Sequence, residues 1–222
     1  MTAPAISRRP TRRLERALQR HGFARVAGVD EVGVACLAGP VVAAAVILRP
    51  AAPFIAGVRD SKMVPRAERE RLAAAIRLVA LAIGIGSASV AEIDELNILR
   101  ATHLAMRRAL ARVAPYDHAL IDGDPIGEAG LGPHTEIVRG DAKVYAIACA
   151  SIVAKVTRDR LMVRLAARHP GYGWEHNVGY PTPDHRAALR RLGITPLHRR
   201  DFGTVRLLRL GEQLALDGLS PA

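Results

Sequence analysis

The stretch VAGVDEVGVACLAGPVVAAAVIL, residues 26–48, constrains the fold more than any other part of the chain. Its longest uninterrupted apolar run, residues 37–48, holds Gly39 and Pro40 and is too short to cross a bilayer, which takes about 20 apolar residues. It reads instead as a buried strand. Residues 24–30 and 40–48, both rich in valine and alanine, form the arms of a hairpin with EVGVACLAG as the connection. Asp30 and Glu31 then stand where one strand ends and a second apolar run is about to begin. Two adjacent charges are costly there unless something neutralises them.

The rest of the chain alternates between the two periods. A short helix is expected over residues 11–21, and a longer one begins near Pro65, with proline in a first-turn position where its missing N–H costs little. Residues 80–88 read as a strand. Ser89 lies three residues before Glu92, a capping-box spacing, and opens a helix with an apolar face at Leu96, Leu99, Leu104 and Ala105 and a break near Asn97. HALIDGDPIG is a strand ending at Asp122, followed by a Gly/Pro loop to Pro133, and TEIVRGD is another short strand. Residues 141–169 form a long helix with Asp141 at its very start. A Gly/Pro/aromatic loop and further short helices follow. Strands first, then strands interleaved with helices, make a mixed α/β sheet with helices on both faces.

At 222 residues the chain has room for a full core, burying roughly 70% of its unfolded surface. The formal net charge of +11 points to a polyanionic partner, nucleic acid before membrane. Nearly all of that positive charge is arginine. The lysines are Lys62, Lys143 and Lys155, and a compact ammonium is not interchangeable with a planar guanidinium at a phosphate. Cys36 and Cys149 sit far apart in apolar surroundings with no C-x-x-C partner, which argues against a disulfide framework or a zinc site and for two core thiols. The Arg-rich start of the chain has no apolar h-region, so it reads as a basic tail or, alternatively, an organelle transit peptide; a cytoplasmic protein without membrane contact is expected.

Four acids share one local context: Asp30 and Glu31 at a strand end, Asp122 at another, and Asp141 just after a third. Strand ends of an α/β sheet are where sites form. Taken alone, Asp122 before Gly123 is also an ordinary turn residue and Asp141 is also an ordinary helix cap. Taken together, oxygen-only ligands without a histidine or cysteine cluster suit Mg²⁺ or Mn²⁺. Carboxylates around hard cations in a basic chain describe two-metal phosphodiester chemistry.

Seven motifs in order, GVDEVG…LAGPVVAAAVIL, DSK, EIDELNILRATHLAMRRAL, LIDGD, VRGDAKVYAIACASIVAKVTRDRLM, PGYGWEHNVGYPTPDH and HRRDFGTV, resemble bacterial ribonuclease HII over residues 26–205. The resemblance implies an RNase H-like mixed sheet flanked by helices with a helical C-terminal extension. It divides the chain into a basic tail (1–22), a catalytic domain (23–205) and a C-terminal helix or tail (206–222). It also implies cleavage of the RNA strand of RNA–DNA hybrids and of duplex DNA at embedded ribonucleotides, leaving 3′-hydroxyl and 5′-phosphate ends. The family's metal-binding acids fall on Asp30, Glu31, Asp122 and Asp141, which would hold two Mn²⁺ or Mg²⁺ ions. Tyr180 matches the tyrosine that stacks on the deoxyribose after the ribonucleotide, and Gly33 belongs to the turn that reaches the ribose. Lys62, Lys143 and Lys155 fall in motifs resembling the phosphate-contacting surface, and His198, Arg199 and Arg200 are expected to add backbone contacts. A monomer is implied; a replication or repair partner is not.

One turn departs from the family pattern. Where Gly-Arg-Gly or Gly-Lys-Gly is usual, this chain has Gly33-Val34-Ala35, with no charge at the middle position and a methyl at the third. The expected consequence is weaker cutting at single embedded ribonucleotides than in long hybrids. Two other readings stay open on the residues alone: a hybrid-binding protein with little nuclease activity, and a nuclease of the same fold acting on DNA junctions or double-stranded RNA.

Overall fold

The computed structural model describes residues 9–124 and 130–216, so the ends of both expected tails and part of the loop after Asp122 lie outside the described residues. Five strands form one sheet: β1 (Val26–Val32), β2 (Val41–Leu48), β3 (Ala80–Ala88), β4 (His118–Asp122) and β5 (His134–Ile137), in the order β3-β2-β1-β4-β5. β1 and β2 are the expected hairpin, antiparallel with Asp30 opposite Ala44 and Glu31 opposite Ala43. β1 and β4 run parallel with Val29 beside Ile121, and β4 and β5 run parallel with Asp122 beside Ile137. Parallel neighbours end at the same edge. That edge therefore receives Asp30 and Asp122 together.

Among the described residues, eight helices accompany the sheet: α1 (Arg13–Arg20), α2 (Arg66–Val79), α3 (Val90–Leu96), α4 (Ile98–Ala111), α5 (Tyr145–Ala166), α6 (Trp174–Asn177), α7 (Pro183–Leu192) and α8 (Gly203–Leu216). The chain falls into two compact units, one from Met1–Val32, Val42–Ser87 and His103–Val156, the other from Gly33–Val41, Ala88–Thr102 and Thr157–Ala222.

In the first unit, Leu72 and Ile76 of α2 and Cys149, Ile152 and Val153 of α5 share a core with Ala44 and Val46, and Ile83 and Ile85 of β3 pack against it. Side chains alternate across a strand, so Gly84 and Gly86 face the other way, where their bare Cα atoms let the α4 backbone at Ala105 and Ala109 come close. Helices thus cover both faces, as the sequence predicts. β1 meets α5 through Gly28, where a methyl group would run into the backbone of Ala146. Ahead of β1, the segment around α1 is folded onto the start of α5. Thr11 donates to Lys143 O and accepts from Tyr145 N–H, both at 3.0 Å, and Glu15 accepts the Ala146 N–H at 2.9 Å. The guanidinium of Arg12 lies over the rings of Phe54 and Tyr145.

In the second unit, the core joins Leu37, Met162, Trp174, Leu189 and Val205. The capping box at Ser89 is present in both directions, Ser89 N–H to Glu92 Oε2 at 2.8 Å and Glu92 N–H to Ser89 Oγ at 3.2 Å. Asn97, at φ 71°, separates α3 from α4. Three expectations need correction. Leu99 is exposed, and α4 buries Ala101, Ala105, Met106, Ala109 and Leu110 instead, because the left-handed Asn97 resets the phase and a face counted across it does not continue. Pro65 is the N-cap of α2 rather than a first-turn residue. Asp141 does not open α5; it lies in a 3₁₀ turn, Gly140–Ala142, entered through Arg139 in the left-handed region at φ 55°. Cys36 and Cys149 are buried thiols. Among the described residues, no helix is long and apolar enough to cross a membrane.

Candidate active site

Three of the four acids singled out in the sequence meet in the first unit. Asp30, Asp122 and Asp141 each bring a carboxylate oxygen within 4.8 Å of the others. The sheet delivers the first two, side by side on β1 and β4. The 3₁₀ turn delivers the third: Gly140 donates its N–H to Asp122 Oδ1 at 2.5 Å, and the next residue is Asp141. A side chain at Gly140 would press on the end of the Ile147 side chain and come tight against the Asp122 carboxylate. Asp30 Oδ1 accepts the N–H of Glu31 at 2.8 Å.

Burial and repulsion dominate the electrostatics. Desolvation pushes the Asp30 carboxyl well above its usual range, and the charges of Glu31, Asp122 and Asp141 push the same way, against a hydrogen bond from Ser151. Asp141 is pushed up to about 6, first by burial and then by Asp122 and Asp60. Glu31 does not join the close trio, since neighbouring residues of a strand face opposite ways. It feels the same field: burial, then Asp122, raise it to about 7, and Lys62 opposes the shift. Bringing these carboxylates together is costly, and a cation among them would offset that cost. Hard carboxylate oxygens, mutually repelling and largely desolvated, fit a divalent ion, and Lys62 is one ammonium against several carboxylates.

Lys62 is thus the lysine that the structure brings toward the acids; it sits on a 3₁₀ turn whose N-cap, Asp60, accepts the Lys62 N–H at 2.9 Å. Lys143 is exposed and donates to Val138 O at 2.6 Å, and Lys155 is half-buried on α5. Ser151 and Ser61 escaped the sequence analysis. Their buried hydroxyl oxygens lie 2.9 Å apart, and Ser151 reaches Asp30. The signal available was a polar residue inside the otherwise apolar AIACASIVA.

In the second unit, Gly33 stands at φ 94° with its Cα against the Arg158 side chain, so no other residue fits. Val34 and Ala35 are exposed. Tyr180 is half-buried against the core of this unit, and its carbonyl accepts from His185 Nδ1 at 2.9 Å. The expectation of backbone contacts from His198 and Arg199 is corrected. His198 is buried against His185, their Nε2 atoms 3.2 Å apart, and Arg199 is wholly buried with its three nitrogens on backbone carbonyls. Arg200 is exposed beside Asp94.

The family model described as "Ribonuclease HII" matches residues 27–205. The ribonuclease HII of Thermosynechococcus vestitus is 61% identical over 188 residues, 85% of this chain and 88% of that protein, and that of Ruegeria pomeroyi is 57% identical, covering 88% and 83%. Among solved structures, the RNase HII of Archaeoglobus fulgidus, determined as a complex with PCNA, superposes with a TM-score of 0.69 at 26% identity, covering 81% of this chain and 95% of that one. A core of carboxylates at the shared edge of parallel strands, in a chain matched over nearly its full length, has one assignment: the chain belongs to the ribonuclease HII family.

Proposed function

We propose that this chain hydrolyses the RNA strand of RNA–DNA hybrids, and duplex DNA at embedded ribonucleotides, through Asp30, Glu31, Asp122 and Asp141, leaving 3′-hydroxyl and 5′-phosphate ends. The observation that carries the reading is the convergence of Asp30, Asp122 and Asp141 in a ribonuclease HII chain. Two Mn²⁺ or Mg²⁺ ions supply the activation of water and the stabilisation of the departing 3′ oxygen when bound. The chain's own part is to hold and orient. Asp30 is fixed by Ser151 and by the Glu31 N–H, Asp122 by the Gly140 N–H, and Lys62 offsets part of the acid charge. Lys143 and Lys155 are assigned to phosphates, Gly33 to the close approach of the ribonucleotide and Tyr180 to the following sugar, where an aromatic face tests for the absence of a 2′-hydroxyl.

The binding-only reading is not favoured. Mutually repelling acids would repel a phosphate backbone as well, and they have a use only with cations between. Cleavage of labelled duplexes in Mg²⁺, in Mn²⁺ and in chelator tests the proposal: metal-dependent cutting of the hybrid supports it, and tight binding without cutting in either metal overturns it.

Val34 and Ala35 set the substrate preference. Loss of one charge-assisted hydrogen bond costs about 1.5–3 kcal/mol, roughly ten- to a hundredfold. Single embedded ribonucleotides are expected to be cut that much less efficiently than long hybrids, and Val34→Arg with Ala35→Gly to recover most of the difference. Equal kcat/KM on the two substrates, with no gain in the double variant, would refute this.

A further inference from the structure

The turn that lost its basic side chain has a buried one behind it. Arg199 is wholly inaccessible, and its guanidinium donates Nη2–H to Gly33 O at 2.6 Å, Nη1–H to Val34 O at 2.8 Å and Nε–H to Gly39 O at 3.0 Å. Arg158, equally buried, binds the next carbonyls: Ala38 O at 2.9 Å, Pro40 O at 2.9 Å and Val178 O at 2.8 Å. The ring of Phe202 lies 5.0 Å from the Arg199 guanidinium carbon and holds it in place.

The peptide unit is planar and trans, so a carbonyl pointing inward sends the N–H of the following residue outward. With Gly33 O and Val34 O both turned to Arg199, the N–H groups of Val34 and Ala35 face away from it, on the two exposed residues of the turn. Consecutive outward N–H groups make a concavity for oxygen acceptors. Burial lowers the Arg199 guanidinium only to about 10, which leaves it charged at neutral pH, and the nitrogens that hold the turn spend that charge on neutral carbonyls rather than on a carboxylate.

We propose that Arg199 is a positioning residue for ribonucleotide recognition: it sets the Val34 and Ala35 N–H groups toward the ribose hydroxyl and phosphodiester oxygens and supplies, from behind the turn, positive charge that Val34 does not. The inference rests on the assignment of this turn to the ribonucleotide made above. It makes Arg199 a determinant of substrate choice, separate from the metal-holding acids of the first unit.

The test is steady-state cleavage by the full chain, in Mn²⁺, of a long hybrid and of a duplex with one ribonucleotide. Arg199→Lys keeps the charge but cannot reach three carbonyls. It is expected to raise KM for the single-ribonucleotide duplex about tenfold while changing kcat on either duplex, and KM for the hybrid, less than about threefold. Adding Val34→Arg is expected to return part of the lost affinity, which it would not do for a general packing defect. Equal losses on both substrates, or an unchanged KM, overturn the proposal. Phe202→Leu, which removes the ring beneath the guanidinium, serves if Arg199→Lys does not fold: a KM increase confined to the single-ribonucleotide duplex supports the proposal, and an unchanged KM overturns it. The underlying assignment is judged separately. If Val34→Arg with Ala35→Gly moves neither KM, the turn does not meet the ribonucleotide and both readings fall; if it does while Arg199→Lys is silent, the role of Arg199 alone is lost.

Discussion

With Asp30 replaced by asparagine, hybrid cleavage is expected to fall at least about a thousandfold in kcat, a loss of roughly 4 kcal/mol in transition-state stabilisation, while the metal-free protein melts at a higher temperature than the parent. Both effects have one origin. Asp30 is buried among Glu31, Asp122 and Asp141, so its charge is useful only with cations present and is a burden without them. The same logic sets a pH dependence. The folded-state carboxyls of Asp141 and Glu31 are raised to about 6 and about 7, above their ordinary values of 3.8 and 4.5. Between those limits the folded chain keeps protons that the unfolded chain has released, so its stability is highest at the acid end and declines as pH rises. In chelator, the melting temperature is therefore expected to drop between about pH 4 and pH 7, to drop less in Asp30→Asn, and to flatten when Mg²⁺ or Mn²⁺ is added. Melting curves with and without divalent ion decide it; an Asp30→Asn variant no more stable than the parent in chelator at pH 8 would contradict the account.

Gly28→Ala is expected to be among the most damaging small substitutions at the described residues. The added methyl would overlap the Ala146 carbonyl carbon and the Ile147 nitrogen, which are backbone atoms of α5 and have no side-chain rotation by which to yield. Overpacking of this kind costs about 3 kcal/mol, a fall of roughly 6–12 °C in melting temperature for a chain of this size. Activity should fall further than stability, because pushing α5 from β1 moves Ser151 and the turn carrying Asp141 relative to Asp30. Thermal melts beside kcat on the hybrid separate the two; a variant within about 1 °C of the parent would mean that the helix and strand are not in contact at this residue.

Much of this was legible in the chain. Local signals carried the hairpin, the capping box at Ser89 and the break at Asn97, since each depends on residues close in sequence. Charge placement carried the cluster of Asp30, Asp122 and Asp141, because acids gathered at the strand ends of a basic chain repel one another unless cations lie between them. The unread parts depend on partners far along the sequence. Arg199 read as a contact to the nucleic-acid backbone because nothing local says that Gly33 and Val34, over 160 residues away, turn their carbonyls toward it. Asp141 read as a helix cap because the left-handed Arg139 that makes a separate turn has no signature in an arginine. Leu99 fell on the wrong side for the same reason as any face counted across a phase break.

The segment ahead of β1 makes the folded body larger than the stretch that the family model matches. The family match starts at residue 27, yet Glu15 satisfies the Ala146 N–H at the start of α5, Thr11 pairs with the backbone on both sides of Val144, and Arg12 covers the rings of Phe54 and Tyr145. A chain cut back to the family boundary would open the first turn of the helix that follows Asp141. The stretch that the family model matches and the body that packs together have different edges here, and the second reaches at least sixteen residues further back, to Thr11.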